Sequence, residues 1–139
     1  MYTVRIIVTK LLFAFSLLFL LGTPSASGVT LQLNAPECCE PGFDCQISWT
    51  VDNSGPDVFT KANFALMDYS FGQFNIIHII ASDVDVINSN SLTWHVPVDN
   101  LFEQQYFIGA FAIGAGYTTY SEHFWIMNDY HLGTNWANT

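Results

Sequence analysis

The chain has 139 residues, of which 50% are hydrophobic, and 12 acidic against three basic residues give a formal net charge of −9. So acidic a chain repels nucleic acid and anionic membranes, which excludes proteins that bind either of them through a basic surface. The length fits a single domain behind a short leader.

The first 27 residues are typical of a secretory signal peptide. Arg5 and Lys10 precede the apolar run at residues 11–21, and small residues follow that run. A basic start, a short apolar run and small residues are the layout of such a peptide, and the run is too short to span a bilayer comfortably. We predict cleavage near residue 27, export, and no membrane attachment afterwards. The exported part then has one basic residue against 12 acidic ones, a formal charge of −11.

Strand signals recur along the remainder of the chain, whereas no helical pattern of any length is present. Turn-forming Gly, Pro, Asn, Asp and Ser residues separate the apolar segments. Seven short strands in about 100 residues predict an all-β fold, a seven-stranded antiparallel β-sandwich of the immunoglobulin or fibronectin type III kind, at residues 28–127. A polar tail at residues 128–139 follows it. The predicted strands are residues 29–34, 45–51, 63–69, 74–81, 91–96, 105–113 and 119–127.

The three cysteines, Cys38, Cys39 and Cys45, indicate one disulfide. Export favours disulfide formation, and adjacent cysteines rarely bond each other because the peptide geometry between them is strained. We therefore predict a disulfide of Cys45 with either Cys38 or Cys39, which contributes about 2–3 kcal/mol through the short loop that it closes. The remaining thiol is either buried or available for a disulfide-linked dimer.

Four short motifs occur in a distinctive order. QISWT (46–50) follows a Pro/Gly segment, a strand centred on Leu66 comes next, and then come TWHVP (93–97), QYFIGAFA (105–112) and SEHFWI (121–126). In this order they resemble the N-terminal immunoglobulin-like domain of the fungal Kre/Knh cell-wall synthesis family, also described as the Ser-Thr-rich GPI-anchored membrane family. There the pattern is approximately I-x-W-T, W-x-V-P, a Y-F-I strand and S-x-x-F-x-I.

The resemblance implies a secreted fungal wall protein that is linked to the assembly of β-1,6-glucan, and it offers no catalytic residue to carry over. The chain departs from the family because it lacks the Ser/Thr-rich stalk, the long C-terminal extension and the hydrophobic tail of a GPI anchor. We therefore expect a bare domain of the cell wall or extracellular matrix, without enzymatic activity and without a cofactor.

Catalytic and metal-binding motifs are not indicated. The histidines have neither an i, i+4 helical pair nor an HExxH arrangement, and alternation places the strand histidines on the surface. A segment rich in Asp and Asn, residues 82–90, offers oxygen ligands for calcium, but its spacing does not match an EF-hand and a turn is favoured. The histidines are His78, His95, His123 and His131.

Aromatic residues give the most informative pattern. If Tyr106 and Phe124 point into the core, their neighbours along the strands point outward, and the strand at residues 63–69 joins the same sheet. One sheet face then exposes Met67, Tyr69, Phe107, Phe111, His123 and Trp125, which is unusually apolar for a monomer.

Such a face can stack on sugar rings or bury against another protein, and the polar tail is a third candidate to cover it. We therefore predict glycan or protein binding, with cell-wall polysaccharide (β-glucan), an extracellular protein or a second copy in a sheet-face homodimer as the partner. The alternative function is a secreted effector or adhesion module that binds another protein through this face.

Overall fold

A computed structural model describes residues 28–37, 39–99, 101 and 104–127. The predicted signal peptide, the polar tail and Cys38 lie outside these residues. The strands are β1 (Gly28–Asn34), β2 (Asp44–Gly55), β3 (Lys61–Ser70), β4 (Gln73–Asp85), β5 (Ser91–His95), β6 (Gln104–Ala112), β7 (Thr118–Tyr120) and β8 (Phe124–Ile126).

The strands form two antiparallel sheets. One has three strands in the order β1-β2-β5, and the other has the order β4-β3-β6-β7, with β8 also paired to β6. The inward residues of both sheets share one core, so the predicted all-β sandwich is confirmed. The described residues form eight strands, whereas the sequence predicted seven.

Trp49 of β2 connects the two sheets across the core. Its indole Nε1 donates a hydrogen bond to the carbonyl oxygen of Val86 at 3.0 Å, and its ring centroid lies 5.0 Å from that of Phe64 on β3. Burying so large a side chain contributes about 2–3 kcal/mol or more, and the hydrogen bond prevents the cost of an unpaired buried N–H. The largest fully buried side chains include Trp49, Tyr106, Phe64, Ile47, Leu66, Ile108 and Ile126.

Ser121 explains the eighth strand. The segment predicted as one strand at residues 119–127 is divided into β7 and β8, which pair with the same edge of β6. Between them the Ser121 N–H donates to the Ile108 carbonyl oxygen at 2.9 Å, while the Ile108 N–H donates to the Ser121 hydroxyl at 2.9 Å. Because the hydroxyl replaces a backbone carbonyl, the chain leaves regular strand geometry and both polar groups of Ile108 stay paired.

β4 is longer than the strand that it pairs with. It has 13 residues against 10 in β3, and the register between them shifts at three places. Each shift is a β-bulge, in which two residues of one strand lie opposite one residue of the other. Asp83 has a positive φ of 59° at one of them, and its N–H donates to the Asn63 side-chain oxygen at 2.9 Å. β4 is an edge strand of the larger sheet.

The disulfide joins Cys39 to Cys45, with 5.4 Å between the Cα atoms. The sequence allowed either Cys38 or Cys39 as the partner of Cys45, and the structure shows that the partner is Cys39. Both bonded cysteines are buried, and Cys39 also forms an isolated bridge to Ile126 at the end of β8. The disulfide therefore ties β2 to the last strand of the other sheet.

Tyr117 links the two sheets at a second place. Its hydroxyl accepts a hydrogen bond from the Leu31 N–H at 3.0 Å and donates one to the Leu31 carbonyl oxygen at 3.1 Å. Its ring stacks on Phe59 with 5.1 Å between centroids. Since β1 is the edge of its sheet, the hydroxyl pairs backbone groups that have no neighbouring strand.

The described part of the chain holds no helix that is both long enough and apolar enough to cross a bilayer.

Replacing Ser121 tests its role in dividing the last strand. We expect Ser121→Ala to lower the free energy of unfolding by about 1–3 kcal/mol, because the buried Ile108 N–H loses its acceptor. Ser91→Ala, at an exposed position of β5, is the control and should change stability by less than about 0.5 kcal/mol. Denaturant unfolding of both variants measures the difference, and equal stabilities would contradict the role given to the hydroxyl.

Candidate binding face of the five-stranded sheet

One side of the five-stranded sheet packs on the core, and the other side faces away from it. We call this second side the outer face. Strand registers arrange its side chains in rows that run across the strands. The first row is Ile79, Ala65, Gly109 and Tyr120; the second is Ile76, Met67 and Phe107; further along lie Phe74 with Tyr69 on one side and Gln105 with Trp125 on the other.

The centre of the outer face is a small buried cluster. Ala65, Met67 and Phe107 are 1%, 3% and 2% exposed, and Phe111 packs against them. The sequence predicted that Met67 and Phe107 are exposed, and this is wrong. Both point outward as alternation requires, but neighbouring rings cover them.

The covering rings come from three elements around Phe107. Its ring centroid lies 5.6 Å from that of Phe74, 5.6 Å from that of Tyr120 and 5.3 Å from that of His123. Phe74 and Tyr120 stack nearly parallel at 5.2 Å, and Tyr69 meets Phe74 edge-on at 5.1 Å. These contacts have the stacked and edge-to-face geometries that aromatic pairs prefer, so the rings support one another.

The exposed side chains of the outer face, called its upper layer, are Tyr69, Phe74, Ile76, Ile79 and Tyr120. Tyr69 and Phe74 are 59% and 57% exposed, and Ile76 and Ile79 are 54% and 53% exposed. The structure thus places four of the six predicted residues at or near the surface: Tyr69, His123 and Trp125 are exposed, and Phe111 is half-buried. Trp125 stands apart at the β8 edge, opposite Gln105.

Sequence reasoning missed the contribution of β4. Phe74, Ile76 and Ile79 form one side of the outer face, and Tyr120 on β7 completes the covering layer. The segment FNIIHII is apolar on both of its alternating sets of positions, which is the pattern of a strand with two apolar faces. The short turn at Phe71 and Gly72 would have placed this strand beside β3.

Gly109 creates space for the buried cluster. A Cβ atom at this position would lie 2.5 Å from Met67 Sδ and 3.1 Å from a ring carbon of Phe111. Any larger residue would therefore push Met67 or Phe111 away from the sheet. The absence of a side chain at Gly109 therefore leaves room for Met67 in the buried cluster.

The rows of the outer face named above are uncharged, and Lys61 and Asp85 lie beyond them at the start of β3 and the end of β4. Among the outward positions that the structure describes in these rows, there is no Asp, Glu, Lys or Arg. Alternation turns Asp68 to the opposite side of the sheet, where it accepts hydrogen bonds from Asn75, Ser70 and Gln104. In a chain with a net charge of −9, this face is an exception.

The dimensions of the outer face follow from strand geometry. Four strands about 4.8 Å apart, with outward residues about 6.8 Å apart along each strand, give an apolar patch of about 400 Å². Patches of this size on a monomer commonly mark sites of interaction.

The segment rich in Asp and Asn at residues 82–90 is only partly a turn: Asp83 and Asp85 end β4, and the turn follows at residues 86–88. The Asp83 carboxylate lies 2.8 Å from the Lys61 ammonium, whose pKa this hydrogen bond and charge raise. The Asp85 carboxylate accepts from the Asn88 side-chain amide at 2.8 Å and from the backbone N–H groups of Asn88 and Ile87. These hydrogen bonds, that of the Asn88 side chain foremost, lower the pKa of Asp85.

Both carboxylates therefore have partners within the protein. The described residues contain no group of three or more His, Cys, Asp or Glu side chains that could hold a metal ion.

A shallow groove of about 440 Å³ lies on the other side of the molecule, where β2 meets the turn before β5. The Trp49 indole at its floor is only 2% exposed, so it offers no ring surface for stacking. The groove lining is Trp49, Thr50, Val51, Ile87, Asn88, Ser89 and Asn90.

Replacing Phe107 tests whether it is a buried support. We expect Phe107→Ala to lower the free energy of unfolding by about 3–5 kcal/mol, because it leaves a cavity under the rings. Tyr69→Ala removes an exposed ring that makes one edge contact, and should cost about 0.5–1.5 kcal/mol. Denaturant unfolding separates the two effects. Similar costs for both variants would mean that Phe107 is as exposed as the sequence predicted.

Comparisons with known proteins give no family for this chain. No family model matches it, and neither a curated protein nor a solved structure is significantly similar to it.

Proposed function

We propose that this protein is a secreted, non-catalytic binding module of the cell wall or extracellular matrix, which docks another protein through its outer face. The observation that carries the proposal is the open, uncharged upper layer on the β4 side, where Phe74, Ile76 and Ile79 are each more than half exposed. Burying such side chains against a partner releases free energy in proportion to the apolar area.

A protein surface fits the β4 side better than a sugar does. Sugar rings bring hydroxyl groups that need hydrogen-bond partners when they lose water. The exposed rings here have Ile76 and Ile79 as neighbours, and Phe74 already stacks on Tyr120 and meets Tyr69 edge-on. Apolar side chains with aromatic residues among them are typical of the centre of a protein interface.

Glycan binding is a second candidate, favoured by Trp125 on the β8 side. This indole is 52% exposed and lies opposite the exposed amide of Gln105, so a stacking ring and a hydrogen-bonding group are side by side. A ring beside polar groups suits the amphipathic faces of a sugar. The resemblance to wall proteins linked to β-1,6-glucan supports this candidate.

The strand order supports an immunoglobulin or fibronectin type III-like sandwich as the architecture of this module. One sheet has the order β1-β2-β5 and the other begins with β4-β3-β6. In the second sheet, β7 and β8 together take the position of one final strand beside β6. Counted in this way, the strands number seven, as in constant-type immunoglobulin domains. The signal-like N-terminal segment and the disulfide support export, since disulfides persist in oxidising compartments.

Two variants test the two sides of the outer face separately. We expect Phe74→Ser to weaken binding to extracted wall or matrix proteins by about tenfold or more, because it removes an exposed apolar anchor. We expect Trp125→Ser to abolish the change in tryptophan fluorescence on titration with soluble β-1,3- or β-1,6-glucan. Binding isotherms and fluorescence titrations measure these effects.

Phe43→Ser is the matched control, because Phe43 is 64% exposed and precedes β2 outside the outer face. It should alter neither measurement, and unfolding curves should show that all three variants fold. The proposal fails if the native chain binds neither proteins nor glucans, or if Phe43→Ser weakens binding as much as Phe74→Ser.

A further inference from the structure

A β-sandwich can join another chain through a sheet edge or through a sheet face. One edge of the sheet on the apolar side of this molecule is β4, whose residues 73–82 carry no charge. Three bulges interrupt its register, however, and bulges twist an edge away from the flat geometry that an added strand needs. The edge is therefore protected, whereas the face beside it is open.

Charge identifies the kind of partner that the outer face suits. Two copies of a chain with a net charge of −9 repel each other over most of their surface. Their contact needs a surface that is free of acidic groups, because like charges brought together at an interface cost several kcal/mol. Among the described strands, the rows of the outer face meet this condition through Phe74, Ile76 and Ile79.

Symmetry gives a second argument. A twofold contact uses the same patch on both copies, so the patch must be complementary to itself. A charged or strongly directional patch is rarely self-complementary, whereas aliphatic and aromatic side chains at similar height can interdigitate, as the inner faces of two packed sheets do. Ile76 and Ile79 stand beside Phe74 and Tyr120 with this mixture of shapes.

We propose that the outer face binds a second copy of this chain, in a twofold face-to-face dimer centred on the β4 side. This rests on the proposed function, because it names the protein partner of the same face. The patch of about 400 Å² is about half of what each partner buries in a standard interface, so we expect a weak dimer of the transient class. Trp125 lies at the far edge, which leaves it accessible in the dimer.

Sedimentation equilibrium of the exported full chain tests the proposal, over micromolar to several hundred micromolar protein. We expect a monomer–dimer equilibrium that Ile79→Glu weakens at least tenfold, since it places an acid on each copy at the contact. Val58→Glu adds the same charge at a residue that is 56% exposed and lies between β2 and β3, and should change the dissociation constant less than threefold. Circular dichroism checks the fold of both variants.

Salt dependence and the third cysteine supply independent readouts. Raising the salt concentration should strengthen the dimer, because it screens the repulsion between two acidic copies while the contact itself is uncharged. The equilibrium should also persist in Cys38→Ser, in which no spare thiol is left to link the copies.

The proposal is overturned if the native chain stays monomeric at the highest concentration, if Ile79→Glu and Val58→Glu weaken the dimer equally, or if Cys38→Ser abolishes it. A monomeric chain that still binds other proteins in a Phe74-dependent manner overturns the dimer and retains the proposed function. A dimer that binds no further protein and no glucan supports self-association and overturns the proposed docking of other proteins and the glycan candidate.

Discussion

The two central strands of the larger sheet, β3 and β6, are apolar on both of their faces, and the rest of the sheet is arranged to cover them. Their inward side chains, such as Leu66 and Ile108, are covered by the second sheet. Their outward side chains, Met67 and Phe107, have no second sheet above them and are covered by rings from β4 and β7. The covering rings are themselves apolar and about half exposed to solvent. The same rings that bury Met67 and Phe107 therefore form the exposed apolar face.

Much of the fold could be predicted from the sequence because it depends on local alternation and turn residues. Six of the seven predicted segments correspond to single strands, and the seventh divides at Ser121. That division could not be foreseen, because it depends on a serine hydroxyl that meets the backbone of Ile108, 13 residues away. Peptide geometry disfavours a bond between the adjacent Cys38 and Cys39, which leaves either of them as the partner of Cys45. Only the packed fold distinguishes Cys39 from Cys38 as that partner.

For the candidate site, the sequence predicts which side of the sheet each side chain lies on, but not how far that side chain is buried. Alternation placed Met67 and Phe107 on the outward side, whereas their burial depends on Phe74 and Tyr120, which arrive from other strands. Bulges in β4 were the main obstacle, because each extra residue resets the alternation. They turn His78, which a strict period of two would place outward, to the inner side opposite Leu66 and within 6.1 Å of the Trp94 ring.

The hydroxyl of Tyr117, paired with the backbone of Leu31, has a consequence for how the chain is made. These residues are 86 positions apart, so the first strand cannot acquire this partner until nearly the whole domain has been synthesised. Folds that depend on such distant contacts form slowly, because the chain must close a long loop before any contact rewards it. For a protein that we propose to be exported, slow closure is an advantage, since an unfolded chain can still be threaded through a translocation channel.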